Sequence, residues 1–272
     1  MRQYGHVHEE PLVGDGVTAG IVRVGDTVRR PLRPFSLTIQ SFLAHLHACG
    51  FHDGPTPLGI DDEGREVLSF VPGQVPRAPL PAAACGPEVL TALAGLIRRL
   101  HEAAQGWTPP PGAVWGGIPG RPDPDAVTLF GSAELVSHRD YCPGNVVFRQ
   151  GVPAALIDFD LARPTTRVYD IANALYWWAP LLDPVDRPPA LVDADIPARV
   201  ALFADAYGMT GRQRGALMPL ATGMIHNFHR SARAAAVADP VFRRLWDHGV
   251  SERMPRAEAW INTHARSVRD AL

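Results

Sequence analysis

The 272-residue chain contains no lysine, so every cationic side chain other than histidine is arginine. This excludes a Gly-x-x-x-x-Gly-Lys phosphate loop, and any cation set against phosphate must be a guanidinium. Cysteine is scarce. Cys49, Cys85 and Cys142 are odd in number and lack metal-ligand spacing, which argues against a disulfide framework and a zinc site. Net charge is small as well: a formal value of -2, with arginines spread along the chain, leaves no basic footprint for nucleic acid. The first residues, Met1-Arg2-Gln3-Tyr4-Gly5-His6, have no apolar signal core, and no long uncharged apolar run follows. No membrane association is expected, and the cytoplasm is the expected location. A hydrophobic content of 46% is enough for one large core or two modest ones. The bias toward Arg, Ala, Gly and Pro is that of a GC-rich bacterial genome, which accounts for the missing lysine without invoking chemistry.

Against these absences stands one dense stretch, His138-Arg139-Asp140-Tyr141-Cys142-Pro143-Gly144-Asn145, followed by Leu156-Ile157-Asp158-Phe159-Asp160. The pattern His-x-Asp-x-x-x-x-Asn, then an apolar strand ending in Asp, supplies what phosphoryl transfer requires. One carboxylate, Asp140, can accept the proton of an attacking hydroxyl, while the amide of Asn145 and the carboxylate of Asp158 hold a divalent metal against phosphates. The residues between them, Asn145-Val146-Val147-Phe148, a Gln150-Gly151 turn and Ala154-Ala155-Leu156-Ile157, predict a β-hairpin that brings Asn145 and Asp158 together.

The arrangement resembles the aminoglycoside phosphotransferase and choline kinase family of kinase-like small-molecule phosphotransferases. The resemblance extends over nearly the whole chain, and Tyr169-Asp170-Ile171-Ala172 matches a further signature after the metal-binding strand. It implies an α/β, two-lobed protein-kinase-like fold. A small antiparallel-sheet N-lobe over 1–71 binds nucleotide, and a larger, mainly helical C-lobe over 72–272 carries catalysis and the acceptor. It also implies ATP or GTP as co-substrate, magnesium as cofactor, and transfer to the hydroxyl of a small molecule, an aminoglycoside-like antibiotic among the candidates. Asp140 matches the catalytic base, Asn145 and Asp158 the metal ligands, and Asp170 a buried carboxylate bracing the loop. Tyr141-Cys142-Pro143-Gly144 replaces a commoner Leu-His-Pro-Gly run, a change that leaves the turn intact. Asp160 either steadies the metal loop or binds through water.

Upstream, Gly14-Asp15-Gly16 and the alternation Ile21-Val22-Arg23-Val24, Gly25-Asp26, Thr27-Val28-Arg29-Arg30 resemble the nucleotide-covering hairpin. Gly14 and Gly16 are the candidate phosphate-approach glycines. Arg29 is the candidate phosphate cation and Arg30 its competitor, since adjacent strand residues point to opposite faces. A helix is expected from a Ser36 cap, through Ile39, Phe42, Leu43 and Leu46, to Gly50. It contains no Asp or Glu to orient a phosphate-binding cation. Gln40 could hydrogen-bond an arginine but reads first as a surface residue. Ser69, Phe70 and Val71, ending the strand Glu66 to Val71, are assigned to the purine-facing hinge.

A second helix is predicted from Pro87 to Ala104, with His101 as a structural hydrogen-bonding group; Trp107 and Trp115 are expected to pack the following loop. Asp183, Asp186, Asp193 and Asp195 could serve a cationic acceptor, although solvated loops are their first reading. The missing lysine and helix glutamate leave an alternative open, a catalytically weak kinase-like binding or immunity protein that sequesters a small molecule. Oligomeric state is not legible.

Overall fold

The apolar alternation on either side of Gly25-Asp26 pairs as expected: β2 (Val22–Val24) and β3 (Thr27–Pro31) form an antiparallel hairpin with Val24 opposite Thr27. The computed structural model describes residues 8–12, 19–77, 79–120 and 132–272; Gly14 and Gly16 lie outside them. β1 (Glu10–Pro11) extends the hairpin, and β5 (Arg65–Ser69) runs between β3 and β4 (Pro57–Ile60). The resulting sheet has the order β1-β2-β3-β5-β4 and is antiparallel throughout.

Against this sheet α1 (Ser36–Ala48) buries Ile39, Phe42, Leu43 and Leu46 on one face. The expected Ser36 cap is not formed, because helix geometry already begins at Phe35. The Ser36 hydroxyl instead accepts from the Arg33 N–H at 3.1 Å and donates to Glu66 at 3.2 Å. Gly50 ends the turn at φ +85°, a backbone state that glycine adopts without strain.

Past β5 the chain crosses to the larger lobe, where Gln74 bridges to Phe148. Gly73 sits in this crossing at φ +146°. A Cβ there would overlap the Val147 side chain and stand 2.6 Å from the Phe148 carbonyl oxygen. Gly73→Ala is expected to destabilise the protein by about 1–3 kcal/mol from backbone strain alone, as measured by denaturant unfolding; unchanged stability would show that the crossing is not held in this form.

The larger lobe is organised on α2 (Pro87–Ala103), which opens on proline at its first turn and buries Val89, Leu93, Leu96, Ile97 and Leu100. It packs against α4 (Ile196–Tyr207) and against β8 (Val152–Leu156), the partner of β7 (Val146–Arg149). β6 (Leu135–Ser137) pairs with β9 (Arg163–Thr165), and α3 (Arg167–Trp178) follows directly. Two long helices, α5 (Gly211–Ala238) and α7 (Ser251–Asp270), close the lobe, joined by α6 (Pro240–Leu245) and a kinked segment, Trp246–Val250. Trp107 packs at a tilt on Phe42, ring centroids 4.9 Å apart, and meets Trp115 at 6.3 Å, so both indoles pack the loop after α2 against the core. Among the described residues no helix is long and apolar enough to cross a membrane.

Candidate active site

β6 ends at Ser137, so the loop His138 to Asn145 starts where the backbone leaves a paired strand. Arg139 takes a left-handed conformation, φ +64°, and its guanidinium covers the Tyr169 ring at 4.4 Å. The next residue is clamped on three sides. The Tyr141 N–H donates to Asn173 Oδ1 at 2.8 Å, its carbonyl accepts from Trp178 Nε1 at 2.7 Å, and its hydroxyl donates to Asp170 Oδ2 at 2.5 Å. All three partners lie on α3, so one helix holds the loop. The tyrosine that replaces a family leucine therefore adds a polar anchor that an aliphatic side chain cannot make.

Asp170 is fully buried and also receives His101 Nε2 at 3.2 Å, while His101 Nδ1 meets the Tyr207 hydroxyl at 2.7 Å. Burial pushes the Asp170 carboxyl up, but hydrogen bonds from His101, Ser137 and Tyr141 outweigh it and hold the group below the usual carboxylate range. A folded-state value below the unfolded one stabilises the fold at neutral pH, and that contribution is lost as pH falls below about 4. Asp170→Asn is expected to lower the melting temperature at pH 7 and to flatten its fall between about pH 4 and 2. An acid limb parallel to wild type would contradict this.

Asp140 and Asn145 meet as the spacing predicts: Asn145 Nδ2 donates to Asp140 Oδ2 at 2.9 Å and to the Asp140 carbonyl at 3.1 Å. Since the amide nitrogen is engaged there, the Asn145 amide oxygen is the atom of this side chain that could hold a metal. The β7–β8 hairpin returns the chain alongside, with Ile157 N–H donating to the Asn145 carbonyl at 3.0 Å. His138 ties both halves together, its Nε2 donating to the Ile157 carbonyl at 2.9 Å and its Nδ1 accepting from the Asp140 N–H at 3.3 Å. Burial depresses the His138 imidazole, in keeping with this neutral tautomer. Dehydration in the cleft and, in smaller part, the Asp158 charge raise the Asp140 carboxyl, with His138 pulling the other way.

Asp158 follows in a left-handed conformation, φ +62° and ψ +68°, with its side chain half exposed. Asp160 reaches the same cleft; burial, then the neighbouring Asp158, lifts its carboxyl to about 6 against the pull of Arg30. Its Oδ1 stands 2.7 Å from the Arg30 guanidinium without hydrogen-bond alignment, so this buried oxygen keeps acceptor capacity. The carboxylates of Asp158 and Asp160 and the amide oxygen of Asn145 are hard oxygen donors, a set that fits magnesium.

The two arginines divide between the faces of β3. Arg30, not Arg29, points toward Asp158 and Asp160, at 3.5 and 2.7 Å, and its Nε is 2.6 Å from Glu66. Arg29 turns to the opposite face and pairs with Asp61 at 3.2 Å. The cause is register: β3 pairs with β5 so that Arg30 lies directly opposite Glu66 and Arg29 opposite Val67. Glu66 is fully buried and is held from α1 by the Ser36 hydroxyl and by Gln40 Nε2 at 3.2 Å. Sequence reasoning missed Glu66 as a site residue and set Gln40 on the surface. The available signal was a lone carboxylate at the head of the apolar run Val67-Leu68, since a buried acid demands a partner.

At the expected hinge, Ser69 N–H donates to the Thr56 carbonyl and Phe70 N–H to the Asp26 carbonyl. Both donors are engaged within the sheet, so a purine edge at this point is left the Phe70 carbonyl and the Val71 backbone. Arg23 covers the Phe70 ring at 3.9 Å, fixing that side chain.

A kinase-like fold with a catalytic-loop Asp, an Asn five residues on and an Asp on the following hairpin defines a class, and comparison with known proteins agrees. A profile described as the phosphotransferase enzyme family matches residues 114–217. The chain is 31% identical over 275 residues to the trifolitoxin immunity protein of Rhizobium leguminosarum bv. trifolii, covering 96% of this chain and 97% of the relative. In fold it is similar to a choline/ethanolamine kinase family protein from Mesorhizobium loti, with a TM-score of 0.58 at 16% identity over 96% of this chain and 92% of that one. An ADP-bound aminoglycoside phosphotransferase gives 0.56 at 12% identity, over 93% and 94%. The chain belongs to the aminoglycoside phosphotransferase and choline kinase family of kinase-like phosphotransferases.

Proposed function

We propose that this protein transfers a phosphoryl group from ATP or GTP to a hydroxyl of a small molecule in the cytoplasm. The nucleotide is held between the lobe formed by 1–71 and the one formed by 72–272. The observation that carries the reading is the buried Arg30–Glu66 pair, with its second guanidinium edge against Asp158 and Asp160. A lysine and a helix glutamate are absent, yet their electrostatic function is rebuilt from a strand arginine and the carboxylate on the neighbouring strand. A protein that had abandoned catalysis has no need of a buried charged pair, since such pairs add little net stability.

In this reading Asp140 accepts the acceptor's proton, with Asn145 fixing the carboxylate by its 2.9 Å hydrogen bond. Asn145, Asp158 and Asp160 hold magnesium, and Arg30 contacts the nucleotide phosphates with Glu66 fixing its orientation. Magnesium bound there neutralises charge on the phosphates. The protein contributes position and countercharge, the main terms in phosphoryl transfer. Phe70 and Val71 present backbone groups to the base. Calorimetry with Mg-ATP and Mg-GTP should show binding that weakens by tenfold or more in Asp158→Ala, a factor typical of removing a metal ligand's support. Unchanged affinity with unchanged magnesium dependence would remove Asp158 from the metal site.

A second reading rests on the near full-length relative named as an immunity protein. Protection by phosphorylation and protection by sequestration both follow from a site that binds a harmful small molecule. They differ in product: the first consumes nucleotide and leaves a phosphorylated compound, the second releases the compound unchanged.

A further inference from the structure

The acceptor lobe holds few free acids for a polycation. Asp183 caps its own turn through Val185 N–H, Asp186 grips Arg256 at 2.6 and 2.8 Å, and Asp195 caps α4 through Ala198 N–H. Between the 185–187 turn and the kink before α7 lies a pocket of about 340 Å³, lined by Asp186, Arg187, His248, Gly249, Arg253 and Arg256. Three guanidinium groups thus meet one carboxylate. Arg187 is held by the Leu182 and Val192 carbonyls and feels Asp183 and Asp193, and Arg256 is matched by Asp186. Arg253 makes no ion pair among the described residues, and its Nε is buried without a hydrogen-bond partner. Beside it, 1% exposed, stands Tyr176, whose hydroxyl likewise has no partner. Burial pushes that hydroxyl up to about 12, with the Arg253 and Asp186 charges both acting on it. Arg253 lines the pocket with its buried Nε unpartnered, and the Tyr176 hydroxyl, buried under the charge of that same arginine, also lacks an acceptor.

We infer that this pocket receives an oxyanion, a carboxylate or phosphate carried by the acceptor, bound by Arg253. Placement supports assigning it to the acceptor, and this rests on the phosphotransferase reading. Tyr176 and Trp177, over whose ring Arg253 lies at 5.9 Å, follow Asn173 by about one turn of α3, ~5–6 Å along the axis. Asn173 is the residue that holds the Tyr141 N–H next to Asp140. The acceptor class is then a hydroxyl compound bearing an acidic group rather than a polyamine. A planar guanidinium fork suits such a group.

The probe is inorganic phosphate, titrated into the full chain in saturating Mg-ADP and read by the indole signals, Trp177 among them. Saturable binding is expected, weakened on the order of tenfold or more in Arg253→Gln, while Mg-ADP affinity stays unchanged. Arg253→Lys, which keeps charge and loses the planar fork, should fall between and guards against misfolding of the glutamine variant. Absence of saturable phosphate binding, or equal binding by wild type and both variants, overturns the inference even if nucleotide binds. Failure of nucleotide binding with phosphate binding intact instead removes the transferase reading and leaves the pocket standing.

Discussion

Asp140→Asn is expected to lower phosphoryl transfer by about 100- to 10,000-fold, the range for loss of a positioned general base, with Mg-nucleotide affinity nearly unchanged. Asparagine keeps the size, and its oxygen can still accept the Asn145 hydrogen bond now made to Asp140 Oδ2 at 2.9 Å. The His138 contact to the Asp140 backbone also survives, because it uses the main-chain N–H. What is removed is a carboxylate whose proton affinity is raised by dehydration beside Asp158. Single-turnover transfer compared with nucleotide titration separates the two effects. Wild-type turnover in the variant would show that the base is another group.

Arg30→Ala should have the largest effect on stability and nucleotide binding together. Arg30 is 7% exposed, and its removal leaves Glu66 buried without its cation and Asp160 without its partner. Breaking a buried pair from one side is destabilising by about 3–5 kcal/mol. A double variant, Arg30→Met with Glu66→Gln, removes both charges and should recover much of that stability without recovering nucleotide affinity. Arg30→Lys keeps the charge but loses the forked geometry that serves Glu66 and the aspartates at once, so partial activity is expected. Arg29→Ala is the control. Its pair with Asp61 is partly exposed, a class worth about 0–1 kcal/mol, and nucleotide affinity should not move. Equal loss in the Arg29 and Arg30 variants would contradict the assignment of the cleft-facing cation.

Short-range chemistry was legible in the sequence, and long-range register was not. The Gly25-Asp26 and Gln150-Gly151 turns, the α2 stripe and the β7–β8 hairpin that returns Ile157 to Asn145 all depend on local spacing and appear as expected. Arg30 and Glu66 are 36 residues apart on strands joined through α1 and β4, so no turn fixes their pairing; tertiary packing does. A one-residue slip exchanges the faces of a strand, which is why Arg29 and Arg30 could not be separated by alternation alone. Gln40 was misplaced for the same reason: its partners, the Gly59 carbonyl and Glu66, come from two other strands. The tyrosine in the catalytic loop was visible as a departure from the family pattern, but its bond to Asp170 required α3 in place.

The most direct measurement is a calorimetric titration of the wild-type protein with Mg-ATP and with Mg-GTP. A lysine-free site rebuilt on Arg30 and Glu66 should bind at least one of them in a magnesium-dependent manner, and Arg30→Lys should bind it more weakly. Binding of neither nucleotide by a folded wild-type protein would contradict the phosphotransferase reading and favour sequestration.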